Sequence, residues 1–362
     1  MTSLPANGFQ ADLDLDHVVL YVTDLEAAGA RFTEHYCFTP VGTADSTEAG
    51  ARSVALRQGR VLLVLTQGTI EDHPATAYTL AHGDGVGDIV LRTPDVTKAF
   101  RTAVAQGARP IAEPRPLPDG TGLTAVVGGF GDIVHSLLER HPADPPALPP
   151  GFRPLPAAPG HTAEVGLLDF DHFAVCVGPG ELNATVALYR DALGFEQTFE
   201  EQIRIGSQAM NSKVVQNASR TVTLTVLEPD TSAEPGQIDE FVKKHGGSGV
   251  QHLAFLVDDA VRSVRALSRH GVEFLDTPGS YYDLLRDRIE VTTHTVDELR
   301  ALNVLVDQDH AGQLFQIFTR STHPRRTLFF EVIERIGAET FGSSNIRALY
   351  EAVEFERSRH AE

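Results

Sequence analysis

The sequence is poor in cysteine, tryptophan and basic residues, and it contains no long apolar run. Of its 362 residues only two are cysteine and none is tryptophan. Two isolated thiols, Cys37 and Cys176, exclude a disulfide framework and a thiolate metal cluster, and they fit a reducing cytoplasm. The longest apolar stretches are as short as a strand, which excludes a transmembrane helix. The N-terminus also lacks the basic and apolar regions of a signal peptide, so we expect a cytoplasmic protein.

Acidic residues dominate the charge. The chain has 30 Lys and Arg against 49 Asp and Glu, a formal net charge of −19. Such a surface repels phosphate backbones and anionic lipids, so we expect neither nucleic acid nor membrane as a partner. The content of 42% hydrophobic and 22% charged residues is typical of a folded protein. A chain of this length is expected to form two domains or more.

Proline is concentrated in one segment. Residues 141–165 contain eight of the 21 prolines of the chain. This composition predicts a stiff, extended linker. The linker divides the chain into an N-terminal domain of residues 1–140 and a second domain of residues 166–362.

The two sides of this linker resemble each other. Three pairs of segments match in order: DLDH at 14–17 with DFDH at 169–172, GVGDI at 85–89 with GVQHL at 249–253, and IVHSLLER at 133–140 with LFFEVIER at 328–335. A repeat of this length indicates a duplicated domain and not a short-period solenoid.

Each half follows the order strand, helix and several strands, twice over. Amphipathic stretches predict helices at 25–38, 96–106, 182–195 and 260–270. Gly107 and Gly271 stand where a helix C-cap is expected. We therefore predict an α+β fold of four βαβββ modules, paired into two half-open barrels that each surround a cavity. A last amphipathic helix is predicted at 343–357, as a lid on the second domain.

The repeat singles out three residues with metal-binding side chains. His172 and His252 lie in the first strands of the third and fourth modules, and Glu331 lies in the last strand of the fourth. A carboxylate that faces a core costs several kcal/mol unless it is paired or binds a metal. Strand alternation places Glu331 on one face with Phe329 and Ile333. A salt bridge to Arg326 or Arg335 is the alternative.

Two imidazoles and one carboxylate from three strands form a 2-His-1-carboxylate facial triad. This ligand set leaves three open positions and suits Fe(II) that binds a chelating substrate together with dioxygen. Zinc is more often closed by a fourth protein ligand or holds one water. The corresponding residues of the first half are His17, Asp88 and Ser136. We therefore predict a degenerate first domain without metal and one metal site per chain.

Seven motifs together resemble a known family. They are DFDH at 169–172, MNS at 210–212, PGQIDEF at 235–241, GVQHLAF at 249–255, QLFQIFT at 313–319, FFEVIER at 329–335 and FGSSN at 341–345. Over nearly its whole length the chain resembles the α-keto acid dioxygenases of the vicinal-oxygen-chelate superfamily. The resemblance implies Fe(II) as cofactor, 4-hydroxyphenylpyruvate and O2 as substrates, and a homo-oligomer such as a dimer.

The resemblance also implies residues that bind the substrate. Polar positions of the family are matched by Ser212, Gln237, Gln316 and Asn345, and apolar ones by Phe318, Phe329, Phe341 and Tyr350. We expect the polar side chains to orient the keto acid or the phenol. The apolar side chains are expected to keep water away from a reactive centre, with a plain core role as the alternative.

Two sister activities share this family. One places oxygen on the ring and gives homogentisate, and the other hydroxylates the benzylic carbon and gives (S)-4-hydroxymandelate. Homogentisate-forming relatives typically carry Pro-x-Asn-Glu-Pro where this chain has Thr225-Val226-Leu227-Glu228-Pro229, and Phe where it has Ile346. Residues Thr225, Leu227 and Ile346 therefore favour 4-hydroxymandelate. The alternatives are formation of homogentisate, a glyoxalase-like isomerase or extradiol dioxygenase, and a protein of the same fold that binds a small molecule without catalysis.

Overall fold

Eight strands and three helices make up the described part of the first half. The structure is a computed structural model that describes residues 13–46, 50–117, 120–140, 147–156 and 162–345. In chain order the elements are β1 (Asp14–Tyr21), α1 (Leu25–Glu34), β2 (Thr39–Ser46), β3 (Ala51–Gln58), β4 (Val61–Gly68), α2 (Pro74–His82), β5 (Gly85–Thr93), α3 (Val96–Ala105), β6 (Pro110–Pro116), β7 (Leu123–Gly128) and β8 (Val134–Glu139).

The second half repeats this order with more helices. After β9 (Arg153–Pro154) and α4 (Thr162–Val165) come β10 (Leu167–Cys176), α5 (Leu182–Ala187), β11 (Glu196–Ile205), β12 (Gln208–Gln216), β13 (Thr223–Pro229), α6 (Gln237–His245), β14 (Gly249–Val257), α7 (Ala260–Arg269), α8 (Gly279–Arg288), α9 (Val296–Ala301), β15 (Leu305–Gln308), β16 (Gln313–Phe318) and β17 (Phe329–Ile336). A π-helical turn, Leu188–Ala192, continues α5.

The strands form two curled sheets with matching topology. Their orders are β6-β7-β8-β5-β1-β4-β3-β2-β9 and β11-β12-β13-β10-β14-β17-β16-β15. The first strands of the two modules pair antiparallel at the centre, β1 with β5 and β10 with β14. Each first strand also pairs in parallel with the last strand of its own module. The predicted fold of four βαβββ modules in two half-barrels is thereby confirmed.

Four of the five predicted helices are present, and two of these four end early. The helix predicted over 25–38 ends at Glu34, and Cys37 beyond it has a φ of 58°. The helix predicted over 182–195 changes to the π-helical turn after Ala187. The expected C-terminal glycines, Gly107 and Gly271, have φ values of 101° and 86°, in the region that favours glycine. The helix predicted over 343–357 lies outside the described residues from position 346 onward.

Helices from both halves pack between the two sheets and form one core. Phe32 of α1 packs edge-on against Phe330 of β17, with ring centroids 5.6 Å apart. The Tyr189 hydroxyl in turn lies 2.6 Å from Nε2 of His135 in β8. Each sheet therefore directs one face toward this shared core. The opposite face of each sheet lies inside the curl of its own half-barrel, and we call it the inner face.

The proline-rich linker is not a free spacer where the structure describes it. Arg153 and Pro154 pair with β2 at the edge of the first sheet. Leu148 and Phe152 pack onto an apolar cluster on the inner face of that sheet, formed by Val19, Ala55, Leu62, Val64, Val90, Leu117 and Leu138. Residues 162–165 form a short helix. This turn packs against α7. The C-terminal end of the predicted linker is therefore helical and not extended. None of the helices that the structure describes is long and apolar enough to cross a membrane.

Candidate metal centre

Strand register brings the three predicted metal ligands to one face of the second sheet. His172 lies opposite Ala254, and His252 lies opposite Ala174, in the antiparallel pair β10 and β14. Ala254 in turn lies beside Glu331 in the parallel pair β14 and β17. Residues that lie side by side on paired strands point to the same side of a sheet. All three predicted ligands therefore point to the inner face of the second sheet.

The alternation predicted for β17 is confirmed by its neighbours. Phe329 and Glu331 pair with residues of the inner face, while Phe330 between them contacts Phe32 in the core. Such alternation is the ordinary consequence of a pleated strand. The sequence pattern therefore gave the correct face for the carboxylate.

The three side chains converge in a buried cluster. Oε2 of Glu331 lies 3.3 Å from Nε2 of His172 and 3.2 Å from Nε2 of His252. One ligand atom from each residue lies within 4.8 Å of the other two. His172 is 3%, His252 8% and Glu331 2% exposed, so the cluster is shielded from solvent. An ion between these atoms would have three protein ligands on one side.

The carboxylate has an oxygen that the surrounding protein does not satisfy. Among the described residues, Oε1 of Glu331 is buried without a hydrogen-bond partner. A buried carboxylate oxygen in this state is costly unless an ion or another donor binds it. The alternative of a salt bridge to Arg335 is not realised, because that guanidinium contacts Asp171 instead. The donor set and the unsatisfied oxygen both fit a divalent metal.

The electrostatics of the cluster draw positive charge inward. Burial raises the pKa of Glu331, but the two imidazoles reverse this shift and hold the pKa below its ordinary value. Burial lowers the pKa of His172, yet Glu331 and Asp171 bring it up to about 9. The pKa of His252 stays below its ordinary value, because burial outweighs its contact with Glu331. The negative carboxylate thus favours a proton or a metal ion in the space between the rings.

Two residues outside the predicted site, Asp171 and Arg335, hold the ring of His172 in place. Nδ1 of His172 lies 2.7 Å from Oδ1 of Asp171. Arg335 donates to both oxygens of Asp171, at 2.6 and 2.8 Å. This arrangement leaves Nε2 of His172 free to bind a metal. The signal in the sequence was the repeated Asp-His and Glu-Arg pairs, which occur in both halves.

Aromatic rings surround the imidazoles. The Phe341 ring packs edge-on against His172 with centroids 5.1 Å apart. The Phe329 ring stacks on His252 at 4.9 Å, and the Phe318 ring meets His252 edge-on at 5.6 Å. These three predicted pocket residues therefore line the cluster, where they limit access of water.

Other predicted pocket residues flank the cluster on its two sides along the sheet. Thr225 lies beside Ala174, and Leu227 lies beside Cys176, one and two steps beyond His172 on the inner face. Ser212 lies opposite Leu227 on the next strand. Gln316 lies opposite Ile333, on the other side of Glu331. The inner face thus carries polar side chains on both sides of the cluster.

Four predicted residues are not placed on this face. Gln237 is exposed at the start of α6. Asn345 is buried, and its Oδ1 accepts a hydrogen bond of 2.7 Å from the Tyr281 hydroxyl. Ile346 and Tyr350 lie outside the described residues. Roles for these four in substrate binding stay predictions.

A second group of possible ligands fits a metal less well. Asp259, His294 and Glu334 also bring ligand atoms within 4.8 Å of one another. Oε2 of Glu334, however, already accepts from the backbone N–H of Ala260 and lies 2.7 Å from Nε2 of His294. The amide belongs to the first turn of α7, whose dipole disfavours a cation. We interpret this group as a structural link between β17 and the segment before α9.

The first half keeps the framework of the centre but not its ligands. His17 and Asp88 are buried, as their counterparts are. The Asp88 carboxylate accepts from the backbone N–H of Ser136 at 2.9 Å and from its hydroxyl at 2.5 Å. The carboxylate is thus satisfied within the protein. These three residues offer one imidazole, one carboxylate and one hydroxyl, so they do not form a 2-His-1-carboxylate triad.

Comparison with known proteins identifies the family. The family model for the glyoxalase, bleomycin resistance protein and dioxygenase superfamily matches residues 14–145 and 169–317. The chain is 33% identical over 381 residues to the probable 4-hydroxyphenylpyruvate dioxygenase 2 of Aspergillus fumigatus, covering 95% of this chain and 93% of that protein. It is 33% identical over 365 residues to the 4-hydroxyphenylpyruvate dioxygenase of Caenorhabditis elegans, covering 95% and 92%.

A solved structure agrees with these relatives. A mutant of 4-hydroxymandelate synthase from Streptomyces coelicolor is 42% identical, with a TM-score of 0.84 over 96% of this chain and 99% of that one. The fold and the matched segments define a member of the glyoxalase, bleomycin resistance protein and dioxygenase superfamily. Within that superfamily the chain belongs to the 4-hydroxyphenylpyruvate dioxygenase family, and it is an enzyme.

Proposed function

We propose that the chain is a mononuclear Fe(II) enzyme that converts 4-hydroxyphenylpyruvate and O2 into (S)-4-hydroxymandelate and CO2. The observation that carries the proposal is the buried cluster of His172, His252 and Glu331, with one unsatisfied carboxylate oxygen, on a face that also carries the pocket residues. The reaction balances, because one oxygen atom enters the carboxylate left by decarboxylation and the other enters the benzylic C–H bond.

The side chains of the cluster would hold the metal and leave one side of it open. Bound Fe(II) supplies adjacent open positions for a chelating keto acid and for dioxygen. Asp171 fixes the His172 ring, and the rings of Phe318, Phe329 and Phe341 limit water at the reacting atoms. Exclusion of water protects a reactive centre from side reactions.

Polar side chains on the inner face would orient the substrate. Oε1 of Gln316 is buried and has no hydrogen-bond partner among the described residues. Such an atom is a ready acceptor for a substrate hydroxyl. The hydroxyl of Ser212 lies on the opposite side of the cluster and is also buried. We infer that these two groups bind opposite ends of an elongated substrate.

The choice of product is assigned to Thr225 and Leu227. Within the described part of the chain, the hydroxyl of Thr225 has one hydrogen bond, a long one of 3.4 Å to the backbone oxygen of Phe173. Leu227 packs against the apolar cluster that contains Cys176, Ile203 and Met210. An Asn in place of Leu227 would put an amide on this apolar wall and offer the phenol a polar anchor. Without it we expect the substrate to bind so that its CH2 group, and not its ring, lies nearest the metal.

Formation of homogentisate is the second candidate. The curated relatives that match most of the chain are named as 4-hydroxyphenylpyruvate dioxygenases. Both reactions use the same ligands and the same substrates, so only the pocket wall separates them. A displacement of about 1 Å is enough to redirect such a step.

Separation of the products by chromatography tests the proposal. The Fe(II)-loaded protein is incubated with 4-hydroxyphenylpyruvate in air, and 4-hydroxymandelate is the expected product. Homogentisate as the main product would contradict the assignment of Thr225 and Leu227 while leaving the metal centre intact. Iron-loaded protein that consumes no oxygen would contradict the substrate and favour a protein that only binds.

A double variant tests the pocket wall. Leu227→Asn combined with Ile346→Phe is expected to shift the product ratio toward homogentisate. Thr66 occupies the position of Leu227 in the first half, beside Tyr21, so Thr66→Asn is the matched control and should leave the ratio unchanged. An unchanged ratio in the double variant would contradict the assignment.

A further inference from the structure

Arg335 contacts two parts of the second half that meet at the candidate metal centre. Its guanidinium donates to both oxygens of Asp171, which in turn holds Nδ1 of His172. The same guanidinium donates to the backbone oxygens of Ala338, at 3.1 Å, and of Thr340, at 2.7 Å. One side chain therefore contacts both the partner of a candidate ligand and the segment that follows β17.

The segment that follows β17, residues 338–345, lies over the centre. Phe341 packs against His172, and its ring also lies 5.1 Å from the Arg335 guanidinium carbon. Gly342 has a φ of 74°, and a Cβ there would come within 1.8 Å of Oε1 of Gln316. The segment is thus in direct contact with a candidate ligand and with a candidate substrate-binding residue.

Three further hydrogen bonds hold the backbone of this segment, and they do not involve the His172 ring. Asp309 accepts from the backbone N–H groups of Glu339 and Thr340, at 2.7 and 2.8 Å. Asp307 accepts from that of Ser344 at 3.1 Å. Among the described residues, only Arg335 forms hydrogen bonds both to this segment and to the Asp171 carboxylate that orients His172. A substitution of Arg335 should therefore alter both metal binding and the position of Phe341.

We propose that Arg335 is a positioning residue that couples metal binding at His172 to the placement of Phe341 over the site. This inference rests on the proposed metal centre. A metal ion would fix the His172 ring, and through Asp171 and Arg335 it would favour the observed position of the segment. By reciprocity of linkage, loss of the Arg335 contacts should weaken metal binding.

The first half supplies a matched control. Arg140 donates to both oxygens of Asp16, which lies beside Nδ1 of His17, and to the backbone oxygens of Ala147 and Leu148. The contacts of Arg140 therefore copy those of Arg335 in a half that lacks the ligands. A substitution at Arg140 has the same structural cost without the proposed coupling.

Two measurements test the coupling. Co(II) affinity is measured by titration of its visible absorption, for the unaltered chain and for Arg335→Lys and Arg140→Lys. Lysine keeps the charge but cannot bind a carboxylate through two parallel donors. We expect Arg335→Lys to weaken Co(II) binding tenfold to a hundredfold, which is the range for loss of a group that orients a ligand. Arg140→Lys should stay within about twofold of the unaltered chain, since no ligand depends on it.

The absence of tryptophan makes the second measurement selective. Because the chain has no Trp, Phe341→Trp introduces a single tryptophan over the centre, and its emission can be excited apart from that of the tyrosines. Zn(II) is added, because this ion has a filled d shell and no redox chemistry. The emission should shift on addition of Zn(II), and Arg335→Lys in this background should abolish most of that shift.

Each outcome decides a separate point. Equal weakening by Arg335→Lys and Arg140→Lys, or no effect of Arg335→Lys, would overturn the coupling. If Arg335→Lys unfolds, Asp171→Asn and its counterpart Asp16→Asn replace the arginine pair, with the same expectation of a selective loss. Failure of the unaltered chain to bind Co(II), or binding that Glu331→Gln does not reduce, would overturn the proposed metal centre itself.

Discussion

The two halves of this molecule have the same framework and use it in opposite ways. In both halves an arginine near the end of the last strand, Arg140 or Arg335, binds an aspartate next to a histidine. The same arginine also binds the chain segment that follows. In the first half that segment carries Leu148 and Phe152 onto the inner face and completes an apolar core. In the second half it brings Phe341 to the His172 ring, on an inner face that keeps buried polar side chains such as Glu331. The duplicated framework is therefore structural. The two halves differ in the segment that follows it, which fills an apolar inner face in the first half and lies over the candidate site in the second.

The absence of a complete set of metal-binding side chains in the first half fits its apolar inner face. Once the inner face is filled with apolar side chains, a buried carboxylate at position 136 would have no metal to satisfy it and would destabilise the fold. Serine removes the charge, and its hydroxyl satisfies Asp88. Burial raises the pKa of Asp88, although its two hydrogen bonds from Ser136 oppose that shift. The Ser136–Asp88 pair is therefore satisfied by hydrogen bonds within the protein.

The largest expected difference between the halves is at the ligand position itself. Glu331→Gln keeps the shape of the side chain but removes the charge, so metal binding and turnover should fall to background. The loss in metal affinity should exceed the roughly tenfold to hundredfold cost of removing a group that only orients a ligand. Ser136→Ala at the matching position should change neither quantity. Co(II) titration and oxygen uptake check both, and a metal site that survives in Glu331→Gln would show that the carboxylate is not a ligand.

The next prediction concerns the apolar filling of the first half. Phe152→Ala should destabilise the protein by about 2 kcal/mol, below the usual range for a core Phe because the ring is only half buried. Metal affinity should be unchanged, since the segment lies on the other sheet. Urea unfolding measures the stability change, and Leu155→Ala, at an exposed side chain nearby, is the control. Equal unfolding midpoints for Phe152→Ala and the unaltered chain would contradict the role of this segment as a filling.

Much of this comparison could be predicted from the sequence. The repeat fixed the equivalence of His172 with His17 and of Glu331 with Ser136, and alternation gave the correct face for the carboxylate. These features are local or depend on matching two segments, which a single sequence contains. The same reasoning gave the module order, because period-2 and helical patterns are local properties of the chain.

Other features depend on contacts between distant residues and could not be predicted. The sequence gives no sign that Leu148 and Phe152 fold back onto a sheet, and a proline-rich composition suggested an extended chain instead. The helices α2, α6, α8 and α9 were not predicted. The first two belong to the repeat, since α2 precedes β5 and α6 precedes β14, whereas α8 and α9 have no counterpart in the described part of the first half. Arg335 was considered only as a partner of Glu331, and its actual partner, Asp171, lies on a different strand.

The two halves also differ on the faces of their sheets that point toward the shared core, and this difference depends on pH. His135 corresponds to Phe330 in the repeat, and it is fully buried between the Ile89 backbone oxygen and the Tyr189 hydroxyl. Burial lowers its pKa to about 4, below the ordinary value of about 6.5 in the unfolded chain. The unfolded state thus binds more protons below that value, so stability is complete above pH 6.5 and is lost as the pH falls toward 4.

The His135 contribution should be visible as a change in stability with pH. From pH 7.5 to 5.5 the unaltered chain should lose about 1 kcal/mol more than His135→Gln, which cannot titrate. Urea unfolding at the two pH values measures this difference. A parallel pH dependence of the two proteins would show that His135 is not held neutral in the folded state.

The smallest expected effect concerns the stability that equivalent helix caps contribute, which should be the same in the two halves. Asp95 and Asp259 begin the equivalent helices α3 and α7, and each accepts a hydrogen bond of 2.8 Å from the backbone N–H three residues ahead. Removal of such a cap typically costs about 1 kcal/mol. Asp95→Ala and Asp259→Ala should therefore destabilise the protein equally in urea unfolding and leave Co(II) affinity unchanged. A markedly larger cost at Asp259 would mean that its proximity to His294 and Glu334 adds a stabilising interaction that the first half lacks, and the framework would then not be equivalent in the two halves.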